Sequence, residues 1–143
     1  MSNSVKIVMI EDDHGHARLI EKNIRRANIA NDIVHFDNGG DGVAYLLSDE
    51  VRNHSSILIL LDLNLPDMSG VDILQKVKGD EVLRRAPVVI LTTTDDRNEI
   101  QNCYDLGCNV YITKPVDYDA FASAIRQLGL FLSVIQAPTI SAE

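Results

Sequence analysis

Residues 56–70 read SILILLDLNLPDMSG. Five apolar residues, Ile57 to Leu61, run without a polar break into Asp62, and a loop carrying Pro66 and Gly70 follows at once. A strand that is apolar on both faces belongs in the middle of a parallel sheet with helices packed on each side. Such sheets place their chemistry in the crevice beyond the carboxyl ends of the strands. Asp62 sits at that end, so the stretch predicts a carboxylate displayed at the mouth of a site.

The flanking sequence extends this pattern in both directions. Upstream, Val5 to Ile10 is a β-branched-rich run that ends in Glu11-Asp12-Asp13, and Asp13 can cap a helix whose apolar face is Ala17, Ile20, Ile24 and Ala27. Ile33 to Asp37 mixes polar and apolar residues, as an edge strand does. Asn38 to Gly42 is expected to be a turn, Val43 to Ser48 a short helix, and Asp49 to Ser56 a polar loop. The glycines at 39, 40 and 42 match neither the dinucleotide nor the P-loop spacing. Downstream of Gly70, the periodic Val71, Leu74 and Val77 predict a helix. Pro87 opens a further strand ending at Thr92. Thr94, Asp95 and Asp96 offer caps to a helix that stops near Gly107. Asn109 to Thr113 is a fifth strand, and Asp117 can cap a last helix reaching about Ile135. Strand–helix alternation repeated five times predicts an α/β fold: a doubly wound, five-stranded parallel sheet with five helices. Strands one, three and four are continuous apolar runs and two and five are mixed, which gives the order 2-1-3-4-5.

The chain has 143 residues, 45% of them hydrophobic, and a net charge of −8. That length suits one domain spanning 1–143, with a core over about 5–128. The acidity argues against nucleic acid or an anionic membrane as partner. No apolar run is long enough to span a bilayer, and the N-terminus lacks the features of a signal peptide. Cys103 and Cys108 are the only cysteines. They are expected as buried, reduced thiols in a cytoplasmic protein.

In the predicted order, the strand ends bring Glu11, Asp12, Asp13, Asp62, Thr92 and Lys114 to one rim. Crowded carboxylates disfavour one another's ionisation, and a hard divalent cation relieves this. An all-oxygen donor set suits Mg²⁺. A carboxylate beside Mg²⁺ and a lysine can act as a nucleophile towards phosphorus, with a threonine hydroxyl donating to the phosphoryl oxygens. Taken singly, these residues have plainer readings: helix caps for Asp12, Asp13 and Thr92, a turn residue for Asp62, a solvated charge for Lys114. Their conjunction on four strand ends favours the site. His14 and His16 follow the acidic cluster and are read as exposed residues of the first helical turn.

With IVMIEDD, LILLDLNLPDMSG, PVVILTT and YITKP in place, the sequence resembles the receiver domain of two-component response regulators over nearly its whole length. The resemblance implies the flavodoxin-like receiver fold, with Asp62 as acceptor of a phosphoryl group from a sensor histidine kinase. It implies Mg²⁺ held by Asp12 directly, by Glu11 through water, by Asp62, and by the backbone carbonyl of Asn64. Thr92 matches the switch hydroxyl, Lys114 the phosphoryl-binding lysine and Tyr111 the switch aromatic, and the Lys114–Pro115 peptide is expected cis. Glu11 stands where aspartate is commoner, and Thr93 where many receivers carry a smaller residue.

After the last helix only a short tail remains, which predicts output through an unidentified downstream protein. That helix carries one apolar stripe for the sheet. Leu128, Phe131, Leu132 and Ile135, with Tyr111, are the residues expected at a homodimer interface through strand five and the helix. These features resemble the stand-alone receivers that accompany bacterial phytochromes. Three other functions compete with this reading. A phosphohydrolase with an aspartyl-phosphate intermediate is disfavoured because Asn64 stands where its general acid would be. The intact acid–Thr–Lys set counts against a non-phosphorylated dimerising scaffold, and a phosphorelay intermediate is compatible with every feature above.

Overall fold

Strand β3, Ile57–Leu61, is buried at every residue and forms the middle of a five-stranded parallel sheet. Its neighbours are β1, Lys6–Ile10, and β4, Val88–Thr92; the edges are β2, Ile33–Phe36, and β5, Val110–Thr113. The order is β2-β1-β3-β4-β5, as the apolar runs predict. The computed structural model describes residues 5–54 and 56–114, together with Asp119 and Ser123. The last helix, the Lys114–Pro115 peptide and the interface residues Leu128, Phe131, Leu132 and Ile135 lie outside the described residues.

Side chains alternate across the strands, so the sheet carries two cores. On one face Val8, Ile10, Ile57, Ile59, Leu61, Val88 and Ile90 pack against Leu46, Val51, Ile73, Leu74, Val77 and Cys103. Those partners come from α2 (Gly39–Leu46), α3 (Asp49–His54), α4 (Gly70–Gly79) and α5 (Arg97–Leu106). On the other face Ile7, Met9, Leu58, Leu60, Val89 and Leu91 pack against Ala17, Ile20 and Ile24 of α1, His14–Arg26. These are three of the four residues whose spacing predicts that helix face, and Ala27 packs there from the helix C-cap. Cys103 and Cys108 are both buried free thiols.

Two local expectations need correction. Residues 38–42 are not a separate turn: α2 begins at Gly39, with Asn38 as N-cap accepting from the Asp41 N–H. Glycine is a poor helix former, but here two external constraints favour the helix. The N–H groups of Gly39 and Gly40 each donate to the Asp67 carboxylate at 2.8 Å. Gly42 lies against β1, where a Cβ would sit 2.6 Å from Ile10 Cδ1. Residues 49–54 are a helix and not a loop. Val51 is fully buried, and the Arg52 guanidinium donates to both Asp80 carboxylate oxygens at 3.2 and 2.7 Å. Asp80 in turn accepts from the Val82 and Leu83 N–H groups and starts the short 3₁₀ turn Leu83–Arg85.

Candidate functional site

The site is assembled by backbone hydrogen bonds at the carboxyl ends of the strands. The Glu11 N–H donates to Phe36 O at 2.9 Å and the Asp62 N–H to Ile10 O at 3.0 Å, which sets the two acids side by side. The Lys114 N–H donates to Thr92 O at 2.7 Å, which brings the end of β5 to the end of β4. At Gly70, the first residue of α4, a Cβ would lie 2.2 Å from the Asp62 carbonyl oxygen and 2.6 Å from Leu63 Cα. Only glycine lets the helix start this close to the strand end that presents Asp62.

Glu11, Asp12 and Asp62 each place a carboxylate oxygen within 4.8 Å of the others. Glu11 and Asp62 are buried and Asp12 is exposed. Asp13 stands apart from this group and caps α1, accepting from the His16 N–H at 2.9 Å. Lys114 Nζ, on a side chain only 8% exposed, lies 2.5 Å from Glu11 Oε1 and 3.4 Å from Asp62 Oδ2. Burial is the main cause that pushes the Glu11 carboxyl up to about 7; Asp62 adds to this, while Lys114 opposes it. An oxygen-only set of three crowded carboxylates is the donor chemistry that suits a hard divalent cation.

Thr92 is fully buried at the end of β4. The Asn64 amide donates to Thr92 Oγ1 at 3.1 Å and reaches Thr93 and Thr94 Oγ1 at 3.3 Å each. The Asn64 N–H donates to Asp62 Oδ1 at 3.1 Å. Tyr111 is half-buried, and its hydroxyl donates to Thr94 O at 2.7 Å.

A model of the response regulator receiver domain matches residues 7–126. The chain belongs to the response regulator receiver domain family. Response regulator Rcp1 of Synechocystis is 33% identical over 116 residues, covering 79% of each chain. A structure of the Mn²⁺-bound form of response regulator Rcp1 is 28% identical, covers 94% of this chain and 99% of that one, and superposes with a TM-score of 0.79. A response regulator receiver domain from Rhodospirillum rubrum is 62% identical, covers 96% of this chain and 100% of its own, and gives a TM-score of 0.84. The phosphorylated cyanobacterial phytochrome response regulator RcpA is 30% identical, with 92% and 96% coverage and a TM-score of 0.77.

In this receiver the sequence-predicted residues Glu11, Asp12, Asp62, Asn64, Thr92 and Lys114 meet at one rim, and Tyr111 joins them through the loop after β4. The two histidines differ in placement. His14 is exposed and pairs with Asp37 at 3.1 Å, as its position on the first turn predicts. His16 is half-buried, and its Nδ1 lies 3.2 Å from Lys114 Nζ. His35 on β2 also reaches the site, with Nε2 2.7 Å from the Glu11 carbonyl oxygen. Both contacts join residues far apart in sequence, so no local pattern marks them.

Proposed function

We propose that this receiver is a phosphorylation switch that accepts a phosphoryl group from a sensor histidine kinase onto Asp62. The observation that carries the reading is Asp62 itself: a buried carboxylate grouped with Glu11 and Asp12, with the Lys114 ammonium on one oxygen. Asp62 forms the O–P bond as the N–P bond to the kinase's phosphohistidine breaks. Lys114 moves from pairing carboxylates to pairing a phosphoryl oxygen. Thr92 exchanges the Asn64 amide for the phosphoryl group, and Tyr111, tied to Thr94, responds to that exchange. The carboxylates of Glu11, Asp12 and Asp62 and the carbonyl of Asn64 would hold Mg²⁺. The Mn²⁺-bound relative and the oxygen-only donor set support this. When bound, the ion supplies positive charge against the phosphoryl oxygens.

RcpA, a phytochrome response regulator, supports a bacterial phytochrome as the kinase. We read the chain as a single receiver domain over 1–143 that dimerises through β5 and the last helix; β5 is an edge strand, half-exposed along its length. It acts in the cytoplasm as a phosphoacceptor that is not a turnover enzyme. Among the described residues no helix is long and apolar enough to cross a membrane. The test is intact mass after incubation with acetyl phosphate, with and without Mg²⁺, on wild type and Asp62→Asn. One Mg²⁺-dependent phosphoryl adduct, absent in the variant, is expected; an adduct that survives the substitution refutes the assignment of Asp62.

A further inference from the structure

The ammonium of Lys114 carries three donors and no acceptor. Three acceptors surround it: Glu11 Oε1 at 2.5 Å, His16 Nδ1 at 3.2 Å and Asp62 Oδ2 at 3.4 Å. An ammonium can only donate, so the His16 contact requires a free lone pair on Nδ1 and places the imidazole proton on Nε2. The backbone that carries the ring is fixed by a helix cap. The backbone N–H of His16 donates to Asp13 Oδ1 at 2.9 Å and that of Ala17 to Asp13 O at 2.9 Å, so Asp13, which directly follows Glu11 and Asp12, caps the turn of α1 that carries His16. Among the described residues the charged groups at the imidazole are Lys114 and Asp13, whose Oδ2 is 3.9 Å from Nδ1.

Of the three acceptors, two belong to the carboxylate group that would bind the cation. His16 is the third, and it is uncharged when it accepts. Were Glu11 and Asp62 engaged by a metal ion, His16 would be the acceptor of these three left to hold the ammonium. We propose that His16 is a positioning residue for phosphoryl acceptance, a neutral imidazole that keeps the Lys114 ammonium beside Asp62 while the carboxylates engage the cation. This rests on Asp62 being the phosphoacceptor. His16 touches neither the phosphoryl group nor the metal; it acts through Lys114.

The experiment compares wild type, His16→Leu and His16→Asn at saturating Mg²⁺, following the phosphoryl adduct by intact mass over time with acetyl phosphate. Leucine keeps bulk and removes the lone pair. Asparagine is smaller but keeps an acceptor where Nδ1 lies. His16→Leu should accept about tenfold more slowly, the scale of one lost charge-assisted hydrogen bond, and His16→Asn should stay within about twofold of wild type. Leucine at the wild-type rate, or asparagine as slow as leucine, overturns the proposal, because a packing role would favour leucine. Long-range ¹H–¹⁵N correlation of the imidazole provides a second readout that needs no phosphoryl transfer. His16 should show the Nε2–H tautomer, and an Nδ1–H tautomer overturns the proposal. If wild type accepts nothing, the phosphoacceptor reading fails, while the tautomer still decides the Lys114 contact.

Discussion

Replacing Gly70 with alanine tests whether the start of α4 and the phosphoacceptor are built as one unit. The new Cβ would stand 2.2 Å from the Asp62 carbonyl oxygen, against the 3.4 Å at which ordinary contact begins, so about 1.2 Å of movement is needed. The obstructing atoms are backbone: Asp62 O and C, and Leu63 Cα. None can rotate away as a side-chain tip would. Overpacking a tight site costs about 1–3 kcal/mol. Alanine returns less than about 1 kcal/mol through reduced chain entropy and better helix propensity. The net loss should be about 2 kcal/mol, a fall of about 6–10 °C in melting temperature for a domain of this size. Function should suffer more than stability. The atom that must move is the carbonyl of Asp62, the residue proposed to accept the phosphoryl group, and a displacement of about 1 Å in a reacting group slows such steps about 100-fold. Circular dichroism melts report the first effect, and the rate of Mg²⁺-dependent adduct formation from acetyl phosphate the second. A Gly70→Ala protein that melts within about 2 °C of wild type and accepts at the wild-type rate refutes the close-approach argument.

Four further predictions come from the ionisable groups. With its carboxyl raised from 4.5 to about 7, Glu11 contributes stability that is fully present below pH 4.5 and is lost as pH rises through about 7. The stability difference between wild type and Glu11→Gln should therefore turn against wild type across that window in metal-free urea titrations. Mg²⁺ affinity measured by calorimetry should rise with pH through about 7, because the ion needs the deprotonated carboxylate. Asp80→Ala should lose about 2–3 kcal/mol in urea unfolding and Arg52→Ala about 1. Asp80 serves both the guanidinium and two backbone N–H groups, whereas Arg52 serves only the pair. Cys103 is buried and its thiol is pushed up to about 11, so iodoacetamide at pH 8 should leave it unmodified in the native protein and alkylate it in urea.

The sheet was legible because its central strands carry unbroken apolar runs and burial on both faces demands them. The rim was legible for a related reason: once the strand order is known, the residues after each apolar run must share one edge. The errors occurred where a partner distant in sequence stabilises the local structure. Gly39 and Gly40 read as a turn until Asp67 is seen taking both of their N–H groups. Residues 49–54 are polar apart from Val51, and their helix depends on Asp80, which lies beyond β3. His16 reads as a surface residue because its partner Lys114 is 98 positions away. The side-chain contacts of Asn64 with three threonines are hidden likewise, although the backbone role expected of it concerned only a carbonyl.

The Asp67 carboxylate, from the loop after β3, occupies the N-terminus of α2. A helix start with free N–H groups draws anions. An incoming phosphodonor is an anion, and α2 begins on the same side of the sheet as Asp62. By filling that position with its own loop residue, the chain removes a competing resting place for the donor. At the rim itself the Lys114 ammonium, 3.4 Å from Asp62 Oδ2, offers the donor a positive charge beside the proposed acceptor.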